Sequence, residues 1–284
     1  MCIRDSTGPA CLSLCQDVQG ETFDYPEEFF KERIHNIRRP KPDDFQIKQA
    51  MEKIKKSKKP IIISGGGVFY SDAMDELGSF AIKHNIPVTQ TVMGYSTMKR
   101  DHSHFLGPIG GLGGRAANNL AKETDLAICV GTKLADFTTG SWANFENPEF
   151  KLVSINIARH DANKHLAEAV IGDAKVCLSE LSNSLGNWKS PDSWYKKSQD
   201  ELKSWNEYVD KESGPTNQET PNYAHAVGAI YRNSDPTDIA VTAAGGLVGE
   251  VVQVWRPKEL NTHETEWGFS CLLYTSDAAD DSLR

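Results

Sequence analysis

From about residue 43 onward, apolar and polar positions alternate in blocks that switch between a helical and an extended period. Asp43 or Asp44 is placed to cap a helix whose Ile47, Ala50, Met51 and Ile54 follow the i, i+3, i+4, i+7 spacing of one buried face. Lys53, Lys55, Lys56, Lys58 and Lys59 gather toward its C-terminal end, where positive charge suits the helix macrodipole. The run Ile61–Ser64 predicts a strand that ends in Gly65-Gly66-Gly67, and Ser71 or Asp72 starts a helix with Met74, Leu77 and Ala81 on one side. Further strands are expected at Pro87–Thr91, Leu126–Val130, Leu152–Ile157 and Ala169–Ile171, with a helix near Arg115–Lys122. Over Ala174–Leu185 the stripe Ala174, Cys177, Leu178, Leu181 and Leu185 predicts another helix, which Gly186 is suited to end. Short β-rich runs alternating with helices predict an α/β fold, a doubly wound parallel sheet covering residues 43–187.

The flanks read differently. Residues 7–19 suggest a short strand and turn without a partner, and Pro26, Pro40 and Pro42 punctuate a charged connector that reads as a linker to residue 42. Residues 188–222 form a Trp- and Lys-rich helical connector and a polar break. A helix over Tyr223–Tyr231, a strand over Ile239–Thr242 and the glycine-rich turn Ala243–Gly249 then open another α/β unit, running to residue 271. One strand and one helix are too few to bury a sheet face, so this unit is expected to be incomplete. The first six residues, MCIRDS, and residues 272–284 do not continue the patterns beside them and are expected to be adapter-derived ends.

At 284 residues the chain has room for one large or two ordinary domains. A net charge of -8 argues against a general nucleic-acid binder, which would present a basic face. No apolar run approaches the roughly 18 residues of a membrane span, and the N-terminus lacks the charged start and apolar core of a signal peptide, so no membrane is expected and the cytoplasm is the expected location. The six cysteines lack CxxC or zinc-knuckle spacing; Cys129 in an apolar strand and Cys177 on an apolar helix face are expected to be core residues.

Candidate chemistry centres on glycines, because bare backbone N–H groups at a helix N-terminus attract anions. Gly65-Gly66-Gly67 follows a strand but fits neither GxGxxG nor the P-loop. Gly111, Gly113 and Ala116 match GxGxxG/A without a clear preceding strand, so a nucleotide site and plain tight loops both remain open there. His102 with His104, and His160 with His165, lack a third ligand at metal-binding spacing. No GxSxG elbow or HExxH motif is present. Trp142 sits in the polar stretch Thr138-Thr139-Gly140-Ser141-Trp142, suited to packing an interface or roofing a pocket. The stretch Ala243-Ala244-Gly245-Gly246-Leu247-Val248-Gly249-Glu250 lies between a strand and a helix, where its amides are placed to hold a diphosphate; a plain βα turn is the alternative.

Several of these segments together resemble the thiamine-diphosphate-dependent enzymes, the family that includes acetolactate synthase, and within it the ring-opening hydrolases of myo-inositol breakdown. The resemblance rests on Gln16-Asp17-Val18-Gln19, Tyr25-Pro26-Glu27-Glu28-Phe29-Phe30, the run Gly131-Thr132-Lys133-Leu134-Ala135-Asp136-Phe137-Thr138-Thr139-Gly140-Ser141-Trp142, Ala243–Glu250 and Glu266-Trp267-Gly268-Phe269-Ser270-Cys271. It implies a pyrimidine-binding domain ending within residues 7–42, a central domain at 43–187 and the start of a diphosphate-binding domain at 223–271. It also implies thiamine diphosphate and Mg²⁺ as cofactors, with Gly245, Gly246 and Leu247 touching the diphosphate through backbone groups and Ser270 near the aminopyrimidine. The family's catalytic glutamate is expected upstream of this chain and its GDG…N magnesium motif downstream, so no catalytic or metal residue is assigned and the chain alone is expected to be inactive. The implied reaction opens the ring of a trihydroxycyclohexane-1,2-dione, a small cyclic polyol-dione, to 5-deoxy-glucuronate. A homodimer or homotetramer is implied for the complete protein. Two alternatives stand beside this: a carboligase of the acetolactate-synthase type, and a non-catalytic nucleotide-binding or oligomerisation module.

Overall fold

The computed structural model describes residues 13–34, 38–243 and 245–266. The two ends expected to be adapter-derived, and residues 267–271, lie outside them. The chain divides into two compact units between Pro40 and Lys41. In the first, a single α-turn Gln16–Gln19 and a 3-10 turn Glu27–Phe30 bury no residue. The strand expected over residues 7–19 is absent from the described part of that range. Its backbone closes on itself instead, Gln19 N donating to Cys15 O at 3.2 Å, because an isolated strand has no ladder partner for its polar groups.

The second unit carries the sheet. Helix α1 (Asp44–Lys56) begins where expected, with the Asp43 carboxylate accepting from Phe45 N at 2.8 Å. Strand β1 (Pro60–Ser64), helix α2 (Met74–His84), β2 (Val88–Gln90), β3 (Phe105–Pro108), α3 (Arg115–Glu123), β4 (Leu126–Val130), β5 (Lys151–Asn156), β6 (Glu168–Ile171) and α4 (Ala174–Leu185) follow. The six strands are all parallel, in the order β3-β2-β1-β4-β5-β6, so the winding direction reverses between β1 and β4. Every residue of β1 is buried, as a central parallel strand requires. Its side chains alternate between two cores: Ile62 packs with residues of α1, α2 and α4, while Ile61 and Ile63 face α3. Gly186, at φ 63°, ends α4.

Strand β3 has no counterpart in the sequence reading. Its Gly107 and Pro108 read as breakers, yet the strand lies at the sheet edge, where a proline's missing N–H breaks no ladder. The loop after it is tight. Gly110 adopts φ 108°, and a Cβ there would lie 2.0 Å from Phe137 O. Gly111 N donates to that same carbonyl at 2.7 Å, and Asn118 brackets Gly110 through two 3.0 Å hydrogen bonds.

Helix α5 (Asp192–Glu212) crosses the second sheet face, burying Trp194, Trp205 and Val209, and the Trp194 indole donates to Pro60 O at 2.9 Å. Next come α6 (Tyr223–Asn233), begun by a capping box between Asn222 and His225, then β7 (Ala240–Ala243), α7 (Gly246–Val254) and β8 (His263–Glu266). The sequence pattern predicts a single strand here. The structure adds β8, parallel to β7, which the polar run His263-Glu264-Thr265-Glu266 concealed. A two-stranded sheet is marginal alone. This one is carried by α7, whose Val251 and Val254 join Trp205, Val209, Val227, Tyr231 and Trp255 in the second core. Polar contacts add to it: the Arg256 guanidinium pairs with Asp210, the Tyr231 hydroxyl donates to Arg256 O at 2.9 Å, and Arg100 N donates to Pro257 O at 2.7 Å. No described helix is long and apolar enough to cross a membrane.

Two of the buried histidines, His104 and His263, link the fold to pH most strongly. His104 stacks on Tyr195 at 4.5 Å, and burial, helped by the charges of His102 and Lys189, holds its pKa down to about 4. His263 meets Tyr95 edge-on at 5.2 Å, and burial alone lowers it to about 4. Both are neutral in the folded protein at pH 7. The unfolded chain takes up their protons first as pH falls, so their full stability is present above about pH 6.5 and is lost between there and about pH 4. The loss should reach on the order of 3 kcal/mol per histidine; urea unfolding at pH 7 and pH 4.5 checks it, and His263→Leu should flatten the dependence. Independently, Gly110→Ala should destabilise by about 1–3 kcal/mol in the same assay, since neither Phe137 O nor the φ can accommodate a methyl.

Candidate functional site

A glycine turn left open to solvent joins β7 to α7. Gly245 adopts φ 149° and ψ -176°, a region essentially only glycine occupies. A Cβ at Gly245 or Gly246 would meet nothing within 4 Å, and Gly245, Gly246 and Leu247 are all exposed. As N-cap, Gly245 offers no side chain to the first helical N–H groups, which have no acceptor within the helix. The first turn also carries no acidic residue, although the dipole favours one there. The result is a set of bare backbone donors at the positive end of a helix, which fits an anionic group. Behind it α7 is seated on the β3–α3 loop: Gly249 has Leu112 Cδ2 3.5 Å from its Cβ position, and Gln253 reaches Leu112 O at 3.5 Å. Neither Leu112 nor Gln253 carries a signal in sequence, because an apolar loop residue and a polar helix residue are both ordinary. Ser270, the other residue assigned by resemblance, lies outside the described residues.

Glycines in the loops after β1, β3 and β4 are explained by packing. A Cβ on Gly65 would lie 2.4 Å from Gly131 O, and one on Gly67 would lie 2.6 Å from Gly131 Cα, so the loops after β1 and β4 touch backbone to backbone. Gly111 and Gly113 do stand between a strand and a helix after all, with Ala116 in the first turn of α3, since β3 precedes them. Yet the N-terminus of α3 is covered: a Cβ on Gly114 would lie 2.6 Å from Trp205 Nε1, and the Arg115 guanidinium lies 5.7 Å from the Trp205 ring centroid and 5.3 Å from that of Tyr208. Gly113 folds back on Ile109, where a Cβ would lie 2.5 Å from the Ile109 carbonyl carbon. Of the two readings left open by sequence, these contacts favour the tight loop.

The stretch Asp136–Thr139 is a single helical turn followed by Gly140, Ser141 and Trp142, all left-handed at φ 58°, 53° and 67°. The Ser141 hydroxyl donates to the Asp136 carboxylate at 3.0 Å, and the Trp142 ring packs on His165 at 4.5 Å and Phe145 at 5.7 Å. His102 and His104 lie against each other, with His104 Nε2 3.3 Å from Asn85 Oδ1. Among the described residues no group of three or more His, Cys, Asp or Glu side chains is placed to hold a metal ion. Cys129 and Cys177 are buried, and burial raises both thiols, which keeps them protonated and unreactive at neutral pH.

Comparison with known proteins agrees with this architecture. Residues 47–181 match the family described as the thiamine pyrophosphate enzyme central domain. Among curated relatives, the 3D-(3,5/4)-trihydroxycyclohexane-1,2-dione hydrolase of Clostridium tetani is 39% identical over 298 residues, covering 96% of this chain and 46% of the relative. The protein of that name from Clostridium perfringens is 37% identical over 291 residues, covering 94% and 46%, and that from Bacillus anthracis 36% over 292, covering 94% and 45%. The chain thus spans less than half the length of these relatives. The six-stranded parallel unit contains the residues that match the thiamine pyrophosphate enzyme central domain, so over residues 47–181 the chain is similar to that family.

Proposed function

We propose that this chain is part of a thiamine-diphosphate-dependent hydrolase that cleaves a C–C bond to open the ring of trihydroxycyclohexane-1,2-dione, giving 5-deoxy-glucuronate in myo-inositol breakdown. The observation that carries this is the sustained identity, 37–39% over 94–96% of the chain, to relatives bearing that hydrolase name. The open glycine turn supports it from the structural side. Gly245, Gly246 and Leu247 hold the diphosphate through backbone N–H groups, and the absence of a first-turn carboxylate leaves that end of α7 unopposed. Leu112 and Gln253 keep the helix seated, so the donors are fixed before the anion arrives. Ser270 is assigned to the aminopyrimidine side. When bound, thiamine diphosphate supplies the electron sink for breaking the C–C bond, while the protein supplies binding and orientation.

Mg²⁺ belongs to the same reading as counter-charge for the diphosphate, but the described residues offer it no ligand cluster. The reading also includes a cytoplasmic location and a homodimer or homotetramer. The domain assignment is the one implied by resemblance: a pyrimidine-binding domain ending by residue 42, a central domain at 43–187, and a diphosphate-binding domain that opens at 223. A polypeptide extended to the length of the relatives should open the dione ring only with thiamine diphosphate and Mg²⁺. Carboligation of pyruvate in its place would overturn the hydrolase assignment.

One pair of variants tests the glycine turn itself. Gly246→Ala places a methyl in open space and should leave both folding and cofactor binding close to wild type. Gly246→Asp should stabilise the first turn by about 0.3–1 kcal/mol through the helix dipole. The same carboxylate should weaken thiamine diphosphate binding by about tenfold or more, because it occupies the position of the anion. Calorimetry on the extended polypeptide reads both; equal affinity in the two variants would remove the turn from the site.

A further inference from the structure

A second cleft, which the cofactor reading does not use, lies beside the amino ends of β5 and β6. It has a volume of about 340 Å³, within the range of small-molecule sites. Trp142, Phe150 and His165 give it three ring walls, with the Trp142 and His165 centroids 4.5 Å apart and Phe150 stacked on Phe145 at 4.5 Å. Burial and the neighbouring Lys164 hold the pKa of His165 below its ordinary value, so its ring is an uncharged aromatic wall at neutral pH.

The backbone around the cleft is strained in a way that burial does not explain. Ser141 and Trp142 on one loop, and His165 and Leu166 on another, are four non-glycine residues in the left-handed region, at φ 53°, 67°, 59° and 57°. That geometry brings Trp142 against His165 yet leaves the Leu166 side chain 99% exposed. Such outliers concentrate at ligand clamps. Charge narrows the ligand further. Lys53 is already paired with Glu168 at 3.0 Å, whereas Lys151 has no ion-pair partner among the described residues. The cleft therefore presents one uncompensated ammonium beside its aromatic walls.

We propose that this cleft binds a small planar aromatic carboxylate, with its ring against Trp142, Phe150 and His165 and its carboxylate accepting from the Lys151 ammonium. This assignment is independent of the cofactor reading. The test is titration of the chain with naphthalene-2-carboxylate, followed by amide shifts in nitrogen-15 spectra, with the neutral naphthalene-2-carboxamide in parallel. Shifts should appear at Lys151, Leu152, His165 and Leu166, and the carboxamide should bind about fivefold more weakly or worse. Lys151→Glu, an exposed change that leaves the thermal midpoint near wild type, should weaken the carboxylate by about tenfold or more. No binding, shifts confined to other regions, equal affinity for acid and amide, or indifference to Lys151→Glu would each overturn the proposal.

Discussion

A parallel strand buried in the middle of a sheet needs apolar cover on both faces, and β1 imposes that requirement on everything around it. Ile62 turns one way, toward α1, α2 and α4; Ile61 and Ile63 turn the other, where α3 by itself is too short to complete the cover. Helix α5 completes it. Its Trp194 packs in the core and donates its indole N–H to the β1 backbone, and its Trp205 and Val209 extend the same core outward. Because α6 and α7 pack onto that extension through Val227, Tyr231, Val251 and Val254, the small β7–β8 pair inherits its support from the central sheet. A segment with only two strands is thereby held in place, and with it the glycine turn that begins α7.

The same dependence separates the glycines that build the fold from those left free to bind. Gly65, Gly67, Gly110 and Gly113 are fixed by close backbone approaches, and Gly114 lies under Trp205. A side chain on any of them would meet protein. Gly245 and Gly246 would meet only solvent. Space alone distinguishes the two sets, since all seven lie in or beside loops that follow a strand. The β3–α3 loop connects them: Gly111 hydrogen-bonds to the turn at Phe137, while Leu112 touches α7 at Gly249 and Gln253. One short loop therefore ties the strained stretch around Trp142 to the helix proposed to hold the diphosphate.

Local pattern by itself determined a great deal here. The α1 cap at Asp43, the strand Leu126–Val130, the helix Ala174–Leu185 and the stop at Gly186 all follow from apolar spacing and end chemistry, which act over a few neighbouring residues. Alternating strands and helices made the parallel α/β fold legible, and the grouped motifs made the resemblance to the thiamine pyrophosphate enzymes legible. Tertiary structure alone decided the rest. β3 is a strand because the sheet edge tolerates Pro108, and β8 because β7 offers its polar residues a ladder; neither condition is written in the segment itself. Whether a glycine after a strand binds an anion or merely admits a neighbour depends on what stands within 4 Å of it, a distance set by residues as remote in sequence as Trp205 from Gly114. Sequence determines which atoms are available, but only packing determines which of them remain uncovered.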